Sequence, residues 1–509
     1  MRCAWPPCCG QPPDPQRPLA RCPFPSPPAF APPAPAGAGP FLLSINPADG
    51  SQAGRVAQAR AADVDGAVAH AWQAVRCQPW RGLRLDRRAD VLYEIGRLLR
   101  AEREPLARLQ MADSGKPWKE CLHMVDSAAG SFRYYAAVCE TLQGEITPAR
   151  GEYFSMAIAE PFGVIAAITP WNSPIMNEAQ KVAPALAAGN AVVLKPSEET
   201  PQLALELLRV CHQAGLPQGL LQVLNGSGEE VGAALVRHPG VRMLSFTGGT
   251  ETGRAIAAVA GQRLIPVGLE LGGKSPHIVC ADADREAALA GVLSGIFGSA
   301  GQSCVAGSRL FVERAIYAEF VAALAQRTRA LRVGLPDDPG TQVGPLISWQ
   351  HRDKVAGYVE LGRREGARVL AGGYAPEQGA LARGAFYMPT LLDGLPAQAR
   401  VCQEEIFGPV LVALPFDGED DLIEQANGTA FGLAAGIWTG SYPRAWRLAR
   451  ALEAGSVWIN TYKQSHIATP FGGFKDSGIG REKGLQGLRL YSQNKSIYWG
   501  LHTQPLTLG

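Results

Sequence analysis

The spacing of apolar positions divides this chain into a helical first part and a later part of alternating strands and helices. Between residues 41 and 140, apolar residues recur at helical spacing, which predicts helices such as 61–74 and 88–114. Helix-length segments then separate short apolar runs, an alternation typical of a parallel sheet wrapped by helices. These runs lie at 163–169, 191–195, 220–224, 243–246 and 277–280. Together they predict one nucleotide-binding type of α/β domain.

Turn residues place a loop after each of these predicted strands. Ser173–Pro174 and Thr200–Pro201 have the order of an N-cap followed by a first-turn proline, and Gly189 and Gly215 stand where the two helices should end. Each strand therefore delivers its last residues into a loop just before a helix. Ligands of open α/β sheets bind at these positions.

Three further segments complete the predicted organisation. A second α/β stretch covers 282–473, with strands at 309–312, 410–415 and 435–438. The tail 488–498 alternates polar and aromatic residues, which predicts a late strand that pairs with a distant strand or with another subunit. Residues 1–40 contain 14 prolines, which disfavour helix and sheet and predict a disordered segment.

Composition narrows the classes of function. The 48 Lys and Arg residues against 46 Asp and Glu leave a net charge of +2 and no basic stripe, which argues against nucleic acid as a partner. No apolar run approaches the roughly 18 residues that span a bilayer. The eleven cysteines are scattered, and neither they nor the histidines have metal-ligand spacing, so we expect a cytoplasmic protein without a metal. The arginines within 1–40 leave an organelle address open.

Two glycine-rich loops are candidates for holding a phosphate. The segment 246–253, Phe-Thr-Gly-Gly-Thr-Glu-Thr-Gly, follows a strand and opens a helix, so Gly248 and Gly249 allow a ligand to approach the backbone closely. A tight strand-to-helix turn explains this loop equally well. Gly226 and Gly228 close the preceding strand, and two such loops together favour a dinucleotide.

Lys195 and Glu198 end another predicted strand and are suited to binding ribose hydroxyls, although a surface salt bridge is the simpler interpretation. A carboxylate there accepts a hydrogen bond from the free 2′-hydroxyl of NAD and repels the 2′-phosphate of NADP. We therefore expect NAD, with NADP left open.

Three residues are candidates for chemistry. Cys304 lies among small residues in Gly-Gln-Ser-Cys, Glu270 precedes a glycine pair, and Asn172 ends the first strand loop in Thr-Pro-Trp-Asn. They suit a nucleophile, a general base and an oxyanion donor. Taken singly, each has a simpler interpretation as a buried thiol, a solvated charge or a turn residue.

With 404–410 (Glu-Glu-Ile-Phe-Gly-Pro-Val) and 470–481 (Pro-Phe-Gly-Gly-Phe-Lys-Asp-Ser-Gly-Ile-Gly-Arg), these motifs resemble the aldehyde dehydrogenase superfamily over roughly residues 44–498. The resemblance implies a Rossmann-like NAD-binding domain from 41–141 and 161–272, and an α/β catalytic domain from 273–476. It also implies a small β oligomerisation flap from 142–160 and 485–500, which pairs subunits into a homodimer or homotetramer.

The same resemblance assigns roles residue by residue. Cys304 would be the nucleophile, Glu270 the base that activates water, and Asn172 with the Cys304 amide the oxyanion hole. At Gly249 the sequence departs from the pattern, since many members carry Ser there. The implied cofactor-binding residues are Ile168, Thr169, Trp171, Lys195, Glu198, Gly228, Phe246, Gly248, Gly249, Leu271, Glu405 and Phe407.

The substrate tunnel implied by the resemblance is mostly polar and lacks most of an aromatic cage for quaternary ammonium groups. Gln180 stands where semialdehyde-specific members carry Arg, which disfavours a short dicarboxylic semialdehyde. We therefore expect a polar, hydroxylated or amide-bearing aldehyde as the small-molecule substrate. The implied lining residues are Ser173, Asn177, Gln180, Ser303, Val305, Ser465, His466 and Phe471.

Three alternatives remain at the level of sequence. Acylating relatives that pass the thioester to coenzyme A generally lack the carboxylate found here as Glu270. A binding protein that keeps only the fold would be signalled by loss of Cys304 or Asn172, and both are present. A cysteine hydrolase would need a histidine partner in a recognisable context, and it would leave the dinucleotide loops without a purpose.

Overall fold

The computed structural model describes residues 40–77, 80, 82–148, 151 and 153–501. The predicted disordered segment, with its possible organelle address, lies outside these residues except for Pro40. From Phe41 onward the chain is one unit.

Strands and helices alternate as predicted in the middle and later parts of the chain. The strands are β1 Phe41–Ile45, β2 Gln52–Ala57, β3 Glu145–Ile146, β4 Tyr153–Pro161, β5 Val164–Ile168, β6 Ala191–Lys195, β7 Leu221–Val223, β8 Met243–Thr247, β9 Val267–Glu270, β10 Pro276–Val279, β11 Arg309–Glu313, β12 Arg368–Ala371, β13 Thr390–Asp393, β14 Val410–Phe416, β15 Phe431–Gly432, β16 Ala434–Trp438, β17 Ser456–Ile459, β18 Phe474–Lys475, β19 Gly478–Ile479 and β20 Ser492–Gly500.

Helices precede and separate these strands. They are α1 Ala61–Cys77, α2 Leu85–Ala101, α3 Arg103–Ser114, α4 Trp118–Thr141, α5 Pro174–Ala187, α6 Gln202–Gln213, α7 Ala233–Arg237, α8 Thr250–Arg263, α9 Arg285–Phe297, α10 Arg314–Arg329, α11 Trp349–Arg364, α12 Arg400–Gln403, α13 Glu419–Asn427, α14 Tyr442–Ala451 and α15 Gly484–Leu490. No helix among the described residues has the length and apolar character needed to cross a membrane.

The first sheet has the strand order β19-β9-β8-β5-β6-β7 among the described residues, with every pair parallel except β19 with β9. Strand β5 lies between β6 and β8, so the chain order reverses at β5, and ligands bind at such a reversal. The register aligns Ile168 with Lys195 on one side and with Phe246 on the other. The loops that follow these three strands therefore open at one edge of the sheet.

The second sheet has the order β12-β13-β14-β11-β10-β16-β17 among the described residues, and only the β12–β13 pair is antiparallel. Strand β10 lies between β11 and β16 here, so the prediction that run 277–280 belongs to the first sheet is wrong. Apolar spacing marks a buried strand but cannot tell which of two sheets receives it, because both sheets offer the same buried environment.

Three other local predictions need correction. The predicted helix 88–114 is two helices, α2 and α3, separated at Glu102, whose φ of −98° and ψ of 23° leave the helical range. Helix α6 begins after Pro201 rather than at it. The tail predicted as one strand begins as helix α15, and strand β20 starts only at Ser492.

Strand β20 pairs antiparallel along the whole length of β4, within the same chain. With β3 these strands form a three-stranded sheet in the order β20-β4-β3. One side of β20 therefore has no partner strand among the described residues, which leaves its backbone groups at a sheet edge.

Candidate active site

The three candidate catalytic residues stand at or just after the ends of three different elements. Asn172 follows β5, Glu270 is the last residue of β9, and Cys304 follows a tight turn after α9. A Cβ at Gly273, three residues after Glu270, would lie 2.5 Å from the carbonyl oxygen of Cys304, so the segments that carry these two residues are in contact.

A tight turn at Gly298–Gly301 brings the cysteine segment back toward the sheets. Ser299 and Ala300 both have left-handed φ angles, 58° and 53°, and Gly301 follows at 72°. A Cβ at Gly301 would lie 2.0 Å from the carbonyl oxygen of Gly408, so only glycine fits this position. The turn is held in place because Ser299 donates from N and Oγ to Glu120, at 2.9 and 2.5 Å.

Asn172 is buried and is held against the cysteine segment. Its Nδ2 donates to the carbonyl oxygen of Gln302 at 3.1 Å, and its Oδ1 accepts from Nδ2 of Asn177 at 3.4 Å. The orientation of the Asn172 amide is therefore fixed by Gln302, which stands two residues before Cys304. A preorganised amide donor of this kind stabilises negative charge that develops on a substrate oxygen.

The surroundings make the Cys304 thiol less acidic than a free thiol. Burial raises its pKa to about 12, and the charges of Glu405 and Glu270 act in the same direction. Lys483 and Lys463 lower the pKa. The thiol is the protonated species at neutral pH unless further positive charge approaches the sulfur.

Glu270 is a buried carboxyl whose Oε2 has no hydrogen-bond partner among the described residues. Burial raises its pKa well above the ordinary value, and the charge of Glu482 raises it further, whereas Lys181 and Arg481 lower it. A carboxyl with a raised pKa and an unpaired oxygen is suited to taking a proton from water near neutral pH.

A buried ion pair lies beside this carboxyl, and no sequence motif indicated it. Lys181 on α5 donates to Oε1 of Glu482 at 2.6 Å and to Oγ of Ser245 at 3.1 Å, and Ser245 in turn contacts the hydroxyl of Tyr491 at 2.8 Å. Lys181 and Glu482 are 301 positions apart, so no local pattern could have indicated the pair.

The adenosine end of the predicted cofactor site is organised around one carboxylate. Oε2 of Glu198 accepts from Nζ of Lys195 at 2.8 Å, and Oε1 accepts from the Gly228 amide at 3.2 Å. Burial acts to raise the pKa of Glu198, but the charge of Lys195 and these hydrogen bonds outweigh it and hold the pKa below its usual range. Glu198 is thus an anionic acceptor placed at the crevice.

The glycine loop leaves the N-terminus of α8 open. Gly249 is the N-cap and provides no side-chain cap, and a Cβ at this position would meet nothing within 4 Å. A Cβ at Gly248 would lie 2.4 Å from the ring of Phe246, so the phenyl ring packs directly against this loop. The buried hydroxyl of Thr250 has no partner among the described residues. Free amides and a free hydroxyl at a helix N-terminus fit a pyrophosphate.

The nicotinamide end contains an aromatic cluster. Trp171 contacts Phe407 edge-on, with ring centroids 5.3 Å apart, and His351 packs on both rings. Phe407 has a left-handed φ of 60°, and its carbonyl oxygen lies 2.8 Å from Nε2 of His351. Burial lowers the pKa of His351 to about 4, so the imidazole is neutral and donates to that carbonyl. His351 was not predicted.

Glu405 links this cluster to the cysteine segment. Its Oε1 accepts from the Gly273 amide at 3.0 Å, and burial raises its pKa. Glu405 and Phe407 line a small cavity together with Ser303 and Gly273. Gly272 leaves room for this carboxylate, since a Cβ there would lie 2.3 Å from Oε2 of Glu405.

The remaining predicted cofactor residues lie between these two ends. The Thr169 amide donates to the carbonyl oxygen of Lys195 at 3.1 Å, and its buried hydroxyl has no partner among the described residues. Ile168 ends β5, and Leu271 packs beneath Gly253 in the first turn of α8. The unpartnered polar atoms and open glycines along this crevice fit a dinucleotide.

The structure places the predicted substrate residues on three segments. Ser173 is the N-cap of α5, and Asn177 and the buried Gln180 follow on that helix. The loop after β17 carries the exposed Ser465 and His466. The remaining residues, all half-buried, are Ser303 and Val305 on either side of the cysteine and Phe471 in the loop before β18.

Two lysines at this wall were missed by the sequence analysis. Nζ of Lys483 lies 2.8 Å from Oγ of Ser465 and 5.1 Å from the centre of the Phe471 ring. Lys463 acts on the Cys304 thiol through its charge. No motif signalled either residue, because a lysine in a polar loop is ordinarily a solvated surface group. No metal-binding group of His, Cys, Asp and Glu is found in the part of the chain that the structure describes.

Comparison with known proteins matches residues 36–497 to the family described as "Aldehyde dehydrogenase family". Among solved structures, a putative aldehyde dehydrogenase from Burkholderia cenocepacia is 39% identical, with a TM-score of 0.90 over 92% of this chain and 96% of that one.

Two further similar structures contain a dinucleotide. An aldehyde dehydrogenase from Bacillus cereus in complex with NAD+ is 38% identical, with a TM-score of 0.89 over 91% of this chain and 94% of that one. A betaine aldehyde dehydrogenase from Staphylococcus aureus in complex with NAD+ is 35% identical, with a TM-score of 0.90 over 92% of this chain and 93% of that one.

Proposed function

The chain belongs to the aldehyde dehydrogenase family, and on that premise we propose that it oxidises an aldehyde to its carboxylic acid with NAD, through a thioester on Cys304. The observation that carries this proposal is the meeting of a half-buried cysteine, a fixed amide donor and a buried carboxyl whose Oε2 has no partner among the described residues. Water activated by Glu270 would release the acid.

The first step adds the cysteine sulfur to the aldehyde carbon. A bond forms between the Cys304 thiolate and the carbonyl carbon, and the electron pair of the C=O bond moves to oxygen. The Asn172 amide and the Cys304 backbone amide would stabilise this alkoxide. Because burial raises the pKa of the thiol to about 12, positive charge beside the sulfur is needed to release its proton.

The dinucleotide, when bound, supplies the hydride acceptor that turns the adduct into a thioester. Glu270 then takes a proton from water, the oxygen of that water bonds to the acyl carbon, and the carbon–sulfur bond breaks to return the thiolate. The balance is one aldehyde, one NAD+ and one water converted to one carboxylic acid, one NADH and one proton.

Several groups of the chain would hold the cofactor. Glu198 would accept from the adenosine ribose beside Lys195, the N-terminus of α8 would bind the pyrophosphate, and Glu405 would bind the nicotinamide ribose beside Phe407. An anionic Glu198 supports NAD over NADP, since it repels a 2′-phosphate.

The domain organisation and assembly complete the proposal. One buried apolar cluster joins the early helices and the first sheet up to Leu271 and also includes Leu488 and Tyr491, and another lies on the second sheet from Ile278 onward. They support a cofactor domain from 41–141 and 161–272 and a catalytic domain from 273–476. The sheet of β3, β4 and β20, within 142–160 and 485–500, would pair subunits, which is supported by the free edge of β20.

A Glu270→Gln variant tests the order of these steps. We expect a rapid burst of NADH close to one equivalent per active site, followed by turnover slowed roughly 100-fold or more, because only thioester hydrolysis needs the base. Stopped-flow absorbance of NADH with an aldehyde panel measures both phases. Cys304→Ala should produce no NADH, and Cys304→Ser controls for the small change in volume.

The same assay separates the main alternatives. Steady NADH formation by Cys304→Ala would contradict the thioester route. A large acceleration of the wild-type enzyme by added coenzyme A, with an acyl-coenzyme A product, would favour an acylating dehydrogenase instead.

A further inference from the structure

Lys483 is a half-buried cation at the predicted substrate wall without an anionic partner. Its ammonium group contacts Oγ of Ser465 and lies over the Phe471 ring. Both neighbours belong to the predicted lining. It makes no ion pair with any described residue, although the chain forms many ion pairs elsewhere.

The carboxyl groups close to Lys483 form no ion pair with it among the described residues. Glu482, its neighbour in sequence, already binds Lys181 at 2.6 Å. No hydrogen bond or ion pair joins Glu270 to Lys483 among the described residues, although the charge of Glu270 acts on Lys483. Burial lowers the pKa of Lys483 itself, while Glu482, Cys304 and Glu270 act to raise it.

Lys463 adds a second positive charge on the cysteine side of the site. A Cβ at Gly298, in the turn before Cys304, would lie 3.8 Å from its Nζ, and no described residue forms a hydrogen bond or ion pair with this nitrogen. The nearby carboxylate of Glu120 is occupied by Ser299 and lies 3.8 Å from Lys116. Lys463 and Lys483 thus both act on the Cys304 thiol through their charges, in the direction opposite to Glu405 and Glu270.

We propose that the aldehyde carries a carboxylate at its far end and that Lys483, with the hydroxyl of Ser465, binds that carboxylate. This inference rests on the proposed function, since it names the substrate class of the same site. A partly buried cation held without an anion is unfavourable, and a carboxylate placed there forms a charge-assisted hydrogen bond.

The position of Lys483 explains why the resemblance at the level of sequence did not indicate a carboxylate-binding residue. Gln180, where semialdehyde-specific relatives carry Arg, lies on α5, whereas Lys483 lies just before α15. The anion would therefore be bound from a different side of the tunnel. One lysine and one hydroxyl match the single charge of a carboxylate better than the double charge of a phosphate.

The test compares matched aldehydes on the intact enzyme. Glutaric and adipic semialdehydes, their neutral ω-amides and an aldehyde with a terminal phosphonate are assayed with NAD. We expect wild-type kcat/KM to favour the better semialdehyde over its amide by roughly 30-fold, mainly through KM, since hydrogen bonds to charged groups are worth that order of affinity. Lys483→Met should abolish the preference, and Lys483→Arg should keep most of it.

A matched control and a second readout separate binding from folding. Lys119→Met removes one exposed lysine from α4 and should leave the preference of the enzyme unchanged. Calorimetric titration of adipate, a dicarboxylate product, into the wild-type protein should give binding that Lys483→Met weakens and Lys483→Arg retains.

The outcomes distinguish this inference from the proposed function. Failure to form NADH from every aldehyde would refute the proposed function itself. Oxidation of amides and semialdehydes with equal kcat/KM would refute only the carboxylate. A preference for the phosphonate would replace the carboxylate with a phosphate-type anion, and an equal loss for all substrates in Lys483→Met would assign that lysine a purely structural role.

Discussion

Burial raises the pKa of individual carboxyl groups in this protein. Glu178, which is not one of the proposed catalytic residues, is an example. Neither of its carboxylate oxygens has a partner among the described residues. Burial raises its pKa to about 8, and the charge of Asp113 acts in the same direction. Glu178 shares helix α5 with Asn177 but has no role in the proposed reaction.

Glu178 should make stability fall as pH rises. In the unfolded chain the group loses its proton near pH 4.5, whereas in the folded chain it keeps the proton until about pH 8. The unfolded state therefore binds fewer protons between these values, and the free energy of unfolding decreases across that window. A Glu178→Gln variant should lack this decrease and should melt several degrees above wild type at pH 9, as measured by calorimetry.

The outcome at low pH provides the control for this prediction. At pH 4, where the carboxyl is protonated in both states, the two proteins should have similar melting temperatures. An equal pH dependence of both proteins would show that Glu178 is not the group responsible.

At the scale of elements, Gly249 shows how one residue alters the predicted pyrophosphate site at the N-terminus of helix α8. Gly249 begins the helix with ordinary extended backbone, at φ −68° and ψ 145°, and a side chain there would enter open space. Glycine is therefore not required by conformation at this position. Its presence removes a hydroxyl that many members of the family place beside the pyrophosphate.

A Gly249→Ser variant should bind NAD more tightly. The added hydroxyl can donate to the pyrophosphate, and a solvent-exposed hydrogen bond at the low end of the usual range predicts a decrease in the KM for NAD of roughly threefold with little change in kcat. Initial rates over a range of NAD concentrations measure this effect. Gly249→Ala, which adds the Cβ alone, should leave KM near wild type, and an equal decrease in both variants would argue against a hydrogen bond.

At the scale of the whole molecule, one edge of the β20-β4-β3 sheet has no partner strand among the described residues. Strand β20 pairs with β4 on one side only, and Tyr498 and Trp499 near its end are 69% and 61% exposed. Free strand edges with exposed aromatic side chains are suited to pairing with a second copy. The proposed assembly as a dimer or tetramer therefore depends on this edge.

Light scattering tests the assembly. The wild-type protein should have the mass of a dimer or tetramer at micromolar concentration, and Trp499→Glu should shift it toward the monomer because a charge would be buried at the interface. Lys119→Met, an exposed change on α4, should leave the mass unchanged. A monomeric wild-type protein would contradict the assembly.

The sequence by itself determined those strands and candidate residues that depend only on neighbouring positions in the chain. Continuous apolar runs produced β5 and β6 where predicted, and motifs identified Cys304, Glu270 and Asn172 as candidates. Tertiary structure decided which sheet received β10 and joined Lys181 to Glu482 across 301 positions. It also placed Lys483 at the predicted substrate wall. The contacts of such a side chain depend on burial and on residues distant in sequence, which local spacing does not encode.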